Sequence, residues 1–346
     1  MTDSPAERSS TYRFAFTGTA NDYFRIWAVS LTLSLLTLGI YSAWGKVRKR
    51  RYLYAHTRLD GSGFDYRAAP MAILKGRIIA LTLFGGFAVG SHFLPAVQLA
   101  FFALLLLLTP WIVVASSRFN ARNTAWRNVV FGFDGGLREA AKIFLGFGAL
   151  ALATFGLGFP YFRMRRARFI IERHRFGATP LKADLLAGGF IVAYLLAFLM
   201  LIGAAVLSMI ATAIAFLMSR NVSGSGNGSP LVPLAVIYTA YIAVFAYVRA
   251  RVGNLTLNGT IVGPLRCRST LRARDLAWLY ISNIVAIIVT LGLATPWVTI
   301  RMARYRARTL ALEGEAQLAT LAAATAPAGT ATGSEVSDLF DVDVSL

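Results

Sequence analysis

One cysteine, three histidines and few charged residues limit what this chain can do. Cys267 is alone, and Asp, Glu, Lys and Arg together make up 15% of the 346 residues. A single cysteine excludes an intramolecular disulfide and any cysteine-cluster metal site. His56, His92 and His174 lie far apart, and two stand among arginines that would oppose a bound cation, so no metal is expected. Acids are scarcer than bases, 16 against 35, and the formal net charge is +19. The long apolar runs contain no acid at all, and the cations within them, Arg25, Lys75, Arg77 and Lys142, sit near run ends. Buried intramembrane charge is the usual mark of a proton relay, so its absence weighs against ion-coupled transport. No nucleophile, base and acid fall into a catalytic spacing, and the glycine-rich residues 221–230 lack the lysine of a phosphate loop. Neither an enzyme nor a cofactor is expected.

What remains is apolar: 56% of the residues are hydrophobic. They are blocked into charge-poor runs of the length that crosses a hydrocarbon core about 30 Å thick. Four runs, at about 73–91, 94–115, 185–218 and 231–248, form two pairs; three more end in a shared motif. The motif is TLGIYSAWGKVRKRRY at 37–52, TFGLGFPYFRMRRARF at 154–169 and TLGLATPWVTIRMARY at 290–305. The copies share Thr and Gly two apart (Thr37/Gly39, Thr154/Gly156, Thr290/Gly292) and an aromatic seven residues after the Thr (Trp44, Tyr161, Trp297). They also share two arginines three apart and a closing aromatic. Such recurrence is read as an internal repeat. The order along the chain is motif, pair, motif, pair, motif, with basic connectors between.

Counted as crossings, the runs give seven, but the connectors at 163–182 and 249–274 then carry their arginines outside, against the positive-inside rule. If only the pairs cross, every basic connector falls on the cytoplasmic side, and each motif segment must enter and return. Gly and Pro a few residues apart (Pro160, Pro296; Ala43 in the first copy) supply a helix break, which lipid tolerates only where neighbours shelter it. Four crossings with three re-entrant segments is the expectation, and seven crossings the rival. The fold class expected is all-α: a polytopic helical membrane protein with short β-like cytoplasmic connectors. The first connector, around Asp60-Gly61, reads as a hairpin. Residues 1–22 are expected to be a cytoplasmic lead-in, 23–310 the membrane domain and 311–346 a disordered acidic tail.

The arginine pairs Arg48/Arg51, Arg165/Arg168 and Arg301/Arg304, with Tyr52 beside the first, are candidates for anionic headgroups, because a guanidinium grips phosphate bidentately. Plain anchoring of helix ends on the cytoplasmic side is the favoured explanation, ahead of a specific lipid site. Among intramembrane polar residues Asn283 stands out. Lipid is the expected partner; the tail could meet a soluble one, and nucleic acid is not expected, since no reader motif accompanies the charge.

The first copy and its lead-in resemble the YjgN-like family of bacterial inner-membrane proteins. The resemblance rests on Phe14, Phe16, Gly18, Tyr23, Phe24, Thr37, Leu38, Gly39, Ile40, Tyr41, Trp44, Arg51, Tyr52 and Tyr54. Ala43 departs from the family's proline, and the match is specific over about 12–77 and looser to about 308. The resemblance implies an inner-membrane location and no known activity. The function expected is non-coupled transport or lipid handling; the alternative is a scaffold that binds anionic lipid and a soluble protein.

Overall fold

The turn-rich connectors pair with one another across the whole length of the chain. In the computed structural model, which describes residues 10–93, 96–223 and 231–314, ten strands close into one antiparallel barrel. They are β1 (Ser10–Phe16), β2 (Thr57–Leu59), β3 (Ser62–Tyr66), β4 (Thr124–Trp126), β5 (Val129–Phe133), β6 (His174–Phe176), β7 (Thr179–Ala183), β8 (Thr260–Val262), β9 (Leu265–Ser269) and β10 (Leu310–Gly314). Four connectors are hairpins whose tight turns have left-handed residues where turn chemistry requires them: Asp60 and Gly61, Arg127 and Asn128, Gly177, Gly263. The fifth hairpin is divided between the chain ends, β10 pairing β1 from Ser10↔Gly314 to Arg13↔Ala311.

This corrects the all-α expectation. A strand of three to five residues is marginal alone, and closure needs partners separated by a long helical excursion, so no local pattern announces it. The correction also moves two boundaries: residues 10–16 of the lead-in are β1, and 311–314 of the tail belong to β10. The acidic tail from 315 onward, residues 1–9 and most of the 221–230 stretch lie outside the described residues.

The helices occupy the gaps between hairpins. α1 (Ala20–Leu36) and α2 (Ser42–His56) follow β1; α3 (Pro70–Phe93) and α4 (Ala96–Arg122) follow β3. After β5 come α5 (Leu137–Ala141), a π-helical turn (Lys142–Phe147), α6 (Gly148–Ala153) and α7 (Phe159–Glu172). α8 (Ala187–Ser223) and α9 (Leu231–Asn258) follow β7, and α10 (Ala273–Val289) and α11 (Thr295–Arg308) follow β9. Among the described residues, four helical stretches are long and apolar enough to cross a membrane: Pro70–Ser91, Ala96–Arg122, Ala187–Met218 and Leu234–Asn258. The apolar run that begins at 185 is one unbroken helix from Ala187 onward.

Strand register fixes where each excursion begins and ends. The last residue of one strand faces the first of the next at Phe16↔Thr57, Phe133↔His174, Tyr66↔Thr124 and Ala183↔Thr260. The fifth excursion leaves β9 and returns to its neighbour β10. All five therefore leave and rejoin the same barrel rim, and the opposite rim carries the tight turns.

The chain forms two compact units, one of Met1–Asp184, Gly259–Arg268 and Pro296–Leu346, the other of Leu185–Asn258 and Ser269–Thr295. In the second, α9 packs on both α8 and α10. Gly189 permits that approach, since a Cβ there would lie 2.9 Å from the Leu255 side chain. Asn254 ties the chain after β9 to α9, accepting from Ser269 Oγ at 2.8 Å and Leu271 N at 2.9 Å.

In the first unit, alternate strand residues turn inward and fill the barrel: Leu59, Trp126, Val129, Phe176, Leu265 and Leu312, with Tyr12, Phe14, Phe64 and Phe131 against them. A barrel so packed is a core, not a pore. Its outer face carries ion pairs, among them Arg127–Asp60 at 2.8 Å, Arg175–Asp134 at 2.9 Å and Arg266–Asp184 at 3.0 Å. Strands this short cannot span a bilayer, which needs about nine to eleven residues, and the charged exterior suits water.

Cys267 lies against the packed interior, where burial raises its thiol pKa to about 11. The thiolate is the nucleophile, and a rise of about two units lowers its population near pH 8 about 100-fold. Iodoacetamide should accordingly modify Cys267 about 100-fold more slowly than a free cysteine; an equal rate would mean that the barrel wall opens to solvent.

Candidate functional site

The chain leaves the helix in the same way in each motif. Thr37 Oγ1 donates to Leu33 O at 2.7 Å, Thr154 Oγ1 to Leu150 O at 2.8 Å and Thr290 Oγ1 to Ala286 O at 2.7 Å. The same hydroxyls accept, each at 2.9 Å, from the N–H groups of Tyr41, Gly158 and Ala294, where the return helix starts. One Thr thus closes the end of one helix and the beginning of the next. Two left-handed residues make the turn, Leu38-Gly39 (φ 50° and 94°), Phe155-Gly156 (51° and 90°) and Leu291-Gly292 (50° and 92°). The glycine N–H reaches back five residues, to Ser34 O, Ala151 O and Ile287 O, as in a Schellman cap. Pro160 and Pro296 are buried at the start of the return helices, and Ala43 fills the same place. The break therefore comes from the Thr and the left-handed pair and does not require the proline.

The return helices place the aromatics and arginines. Tyr41 stacks on Trp44, Phe147 meets Tyr161 edge-on, Arg165 lies 5.2 Å from the Phe147 ring, and Arg301 lies 5.1 Å from the Trp297 ring. Arg48 is exposed. The second arginine of two pairs turns back to the barrel rim: Arg51 donates to Tyr66 O at 3.2 Å and Ala68 O at 3.4 Å, and Arg304 to Gly18 O at 3.3 Å. Arg168 lies 3.8 Å from Glu172. Tyr52 is likewise engaged, its hydroxyl accepting from Thr19 N at 2.8 Å and donating to Thr19 O at 3.1 Å. Of the headgroup candidates, Arg48 is exposed, Arg165 and Arg301 lie against aromatic rings, and Arg51, Tyr52, Arg168 and Arg304 contact their own chain. Asn283 is buried on α10.

Two cavities border these elements. One of about 500 Å³ lies at the helix-side mouth of the barrel, lined by Phe14, Phe64, Phe131, Tyr54, His174 and Arg306. A second, of about 680 Å³, is an apolar groove between the first break and α3, lined by Leu38, Ile40, Leu74, Ile78, Leu81 and Phe84. Ser42 and Arg77 supply its polar end: Arg77 Nη1 donates to Ser42 Oγ, which donates to Gly39 O. Lys46 stands one turn beyond Ser42. Burial, then the charges of Arg50 and Arg77, lower its ammonium pKa.

Residues 11–339 match the family described as "Bacterial protein of unknown function (DUF898)". The chain belongs to the DUF898 family. One relative, inner membrane protein YjgN of Salmonella typhimurium strain LT2, is 25% identical over 88% of this chain and 89% of its own length. Inner membrane protein YjgN of Escherichia coli K12 is 32% identical over 36% of this chain and 31% of its own. No solved structure matches.

In this DUF898 chain, sequence reading found the breaks but missed Ser42, Lys46 and Arg77 as a group. Ser42 and Lys46 fall inside the first motif and Arg77 was visible as a cation near the end of an apolar run. Their meeting depends on how α3 packs on α2, which no spacing encodes. Among the described residues, no His, Cys, Asp and Glu cluster could hold a metal ion.

Proposed function

We propose that this is a bacterial inner-membrane protein that handles lipids of the leaflet facing its barrel. Two helix pairs cross, and the three motif hairpins dip into that leaflet and return. Leu38, Phe155 and Leu291 carry the reading. Each is a bulky residue in the left-handed region, which costs about 1 kcal/mol, and each side chain is 94–100% exposed. A strained residue that packs against nothing in its own fold gains nothing there; lipid would give it apolar surroundings. Leu36, Leu157 and Val289 beside the turns are also exposed. The shared rim supports the topology: strands bonded into one barrel lie on one side of a membrane, so each excursion crosses an even number of times. The basic connectors favour the cytoplasmic side. Arg48, Arg165 and Arg301, beside Trp44, Tyr161 and Trp297, suit the headgroup level of that leaflet.

Phe155→Cys carrying a bimane label should be quenched by spin-labelled lipid and protected from aqueous iodide in reconstituted vesicles. Full iodide access would sink the re-entrant reading. The filled barrel favours one second reading, a scaffold that binds lipid without moving it. Scrambling of fluorescent phospholipid above the rate of empty vesicles supports handling, and no increase supports the scaffold.

A further inference from the structure

We infer that the groove between the first break and α3 is a binding site for one acidic phospholipid, its phosphate held by Lys46 and Arg77. This rests on the proposal that the motif hairpins enter the membrane, and it names the lipid class and a site outside the arginine pairs.

Three cations converge here with no acid among them. Ser42, Lys46 and Arg50 stand at four-residue intervals on one face of α2, and Arg77 reaches Ser42 from α3. Arg50 is already committed, donating to Tyr66 Oη at 2.9 Å and Asn120 Oδ1 at 2.8 Å. Among the described residues neither Lys46 nor Arg77 has a carboxylate partner, although ion pairs are formed freely elsewhere in the same unit. Like charges held together repel, and partial burial, then the charges of Arg50 and Arg77, depress the Lys46 ammonium. One anion between the two side chains would offset the repulsion.

The surroundings decide which anion. Arg77 lies about 10 Å along α3 from Pro70, at about 1.5 Å per residue, within the apolar stretch Pro70–Ser91. Arg77, with Ser42, forms one end of a groove whose other walls are Leu38, Ile40, Leu74, Ile78, Leu81 and Phe84, and Lys46 stands just outside that end, one turn beyond Ser42 on α2. A soluble phosphate would leave those walls uncovered, whereas a phospholipid satisfies both ends, with phosphate on the cations and an acyl chain along α3. A net negative headgroup is favoured because two cations are left uncompensated and a zwitterion brings its own.

The test uses full-length protein in nanodiscs containing phosphatidylglycerol and phosphatidylcholine, extracted into mild detergent, with retained lipid counted by mass spectrometry. Charge-assisted hydrogen bonds are the strong ones. Lys46→Gln with Arg77→Gln should cut retained phosphatidylglycerol about tenfold and leave phosphatidylcholine unchanged, while Arg58→Gln, at an exposed position on β2, should have less than a twofold effect. Unchanged phosphatidylglycerol in the double variant overturns the site. Displacement of the lipid from wild-type protein by 100 mM inorganic phosphate also overturns it, in favour of a soluble anion. If the double variant does not fold, Arg77→Lys, which keeps the charge but loses the bidentate fork, should lose retention partially; full retention there counts against the site. The bimane label at Phe155 lies on another hairpin, so lipid contact there with unchanged retention here sinks the site alone.

Discussion

Cysteines placed at Arg58 and at Ala178, each in a Cys267→Ser background, should react with a membrane-impermeant maleimide from the same face of the inner membrane and from that face only. Arg58 lies on β2, and Ala178 is in the turn between β6 and β7. If all seven apolar segments crossed, one motif segment and one pair would separate these positions, an odd number of crossings, and the two would label from opposite faces. The barrel forbids that outcome, because β2 and β6 belong to one closed ladder with β3, β4 and β5 between them. Breaking the ladder to put half of it across a bilayer would expose backbone groups that cost several kcal/mol each in hydrocarbon. The result is all-or-none, and opposite labelling would overturn both the barrel in the membrane-bound protein and the paired crossings. Side of labelling also decides orientation: reaction in inverted vesicles and not in intact spheroplasts places the barrel in the cytoplasm.

The parts of this architecture written in consecutive residues were legible, and those that depend on residues far apart were not. Thr and Gly two apart, followed by an aromatic, announce a break because every bond that makes it spans at most five residues. The hairpin around Asp60-Gly61 was legible for the same reason, since two residues in the left-handed region define the turn. The barrel is different. Its strand pairs Tyr66↔Thr124 and Ala183↔Thr260 are separated by whole helical excursions, and the β1 and β10 pair by nearly the entire chain. Three-residue strands carry too little alternation to be read singly.

The arginine pairs illustrate a subtler limit. Their spacing shows that two cations share a helix face but says nothing of which carbonyl lies opposite. Arg51 meets the backbone oxygen of the last residue of β3, and Arg304 one just after β1, where strands end and their last acceptors need donors. The aromatics of the lead-in follow the same logic. Gly18 and Gly135 each leave room for two rings, Phe16 with Tyr52 and Phe133 with Phe169, so the lead-in and the closing aromatic are two halves of one contact. That contact joins a strand to the return helix, and with it the break to the barrel rim.

Replacing Trp126 by Ala should destabilise the barrel by about 3–5 kcal/mol. Trp126 is 2% exposed, its ring lies 6.0 Å from Phe176 and 6.3 Å from Phe64, and its Nε1 donates to Ser62 O at 3.3 Å. On its outer side Arg127 stands 4.6 Å from the same ring while paired with Asp60. Removing the indole leaves a cavity at the centre of a small core and an acceptor without its donor. Strands of three residues have little else to hold them, since exposed ion pairs contribute about 0–1 kcal/mol each. Hydrogen exchange of the β4 and β5 amides should therefore accelerate by roughly two to three and a half orders of magnitude, at about 1.4 kcal/mol per decade. Trp126→Phe, which keeps most of the ring and loses the hydrogen bond, should accelerate it by about tenfold or less. Exchange in Trp126→Ala within tenfold of wild type would mean that the helices, and not the filled interior, hold the barrel closed.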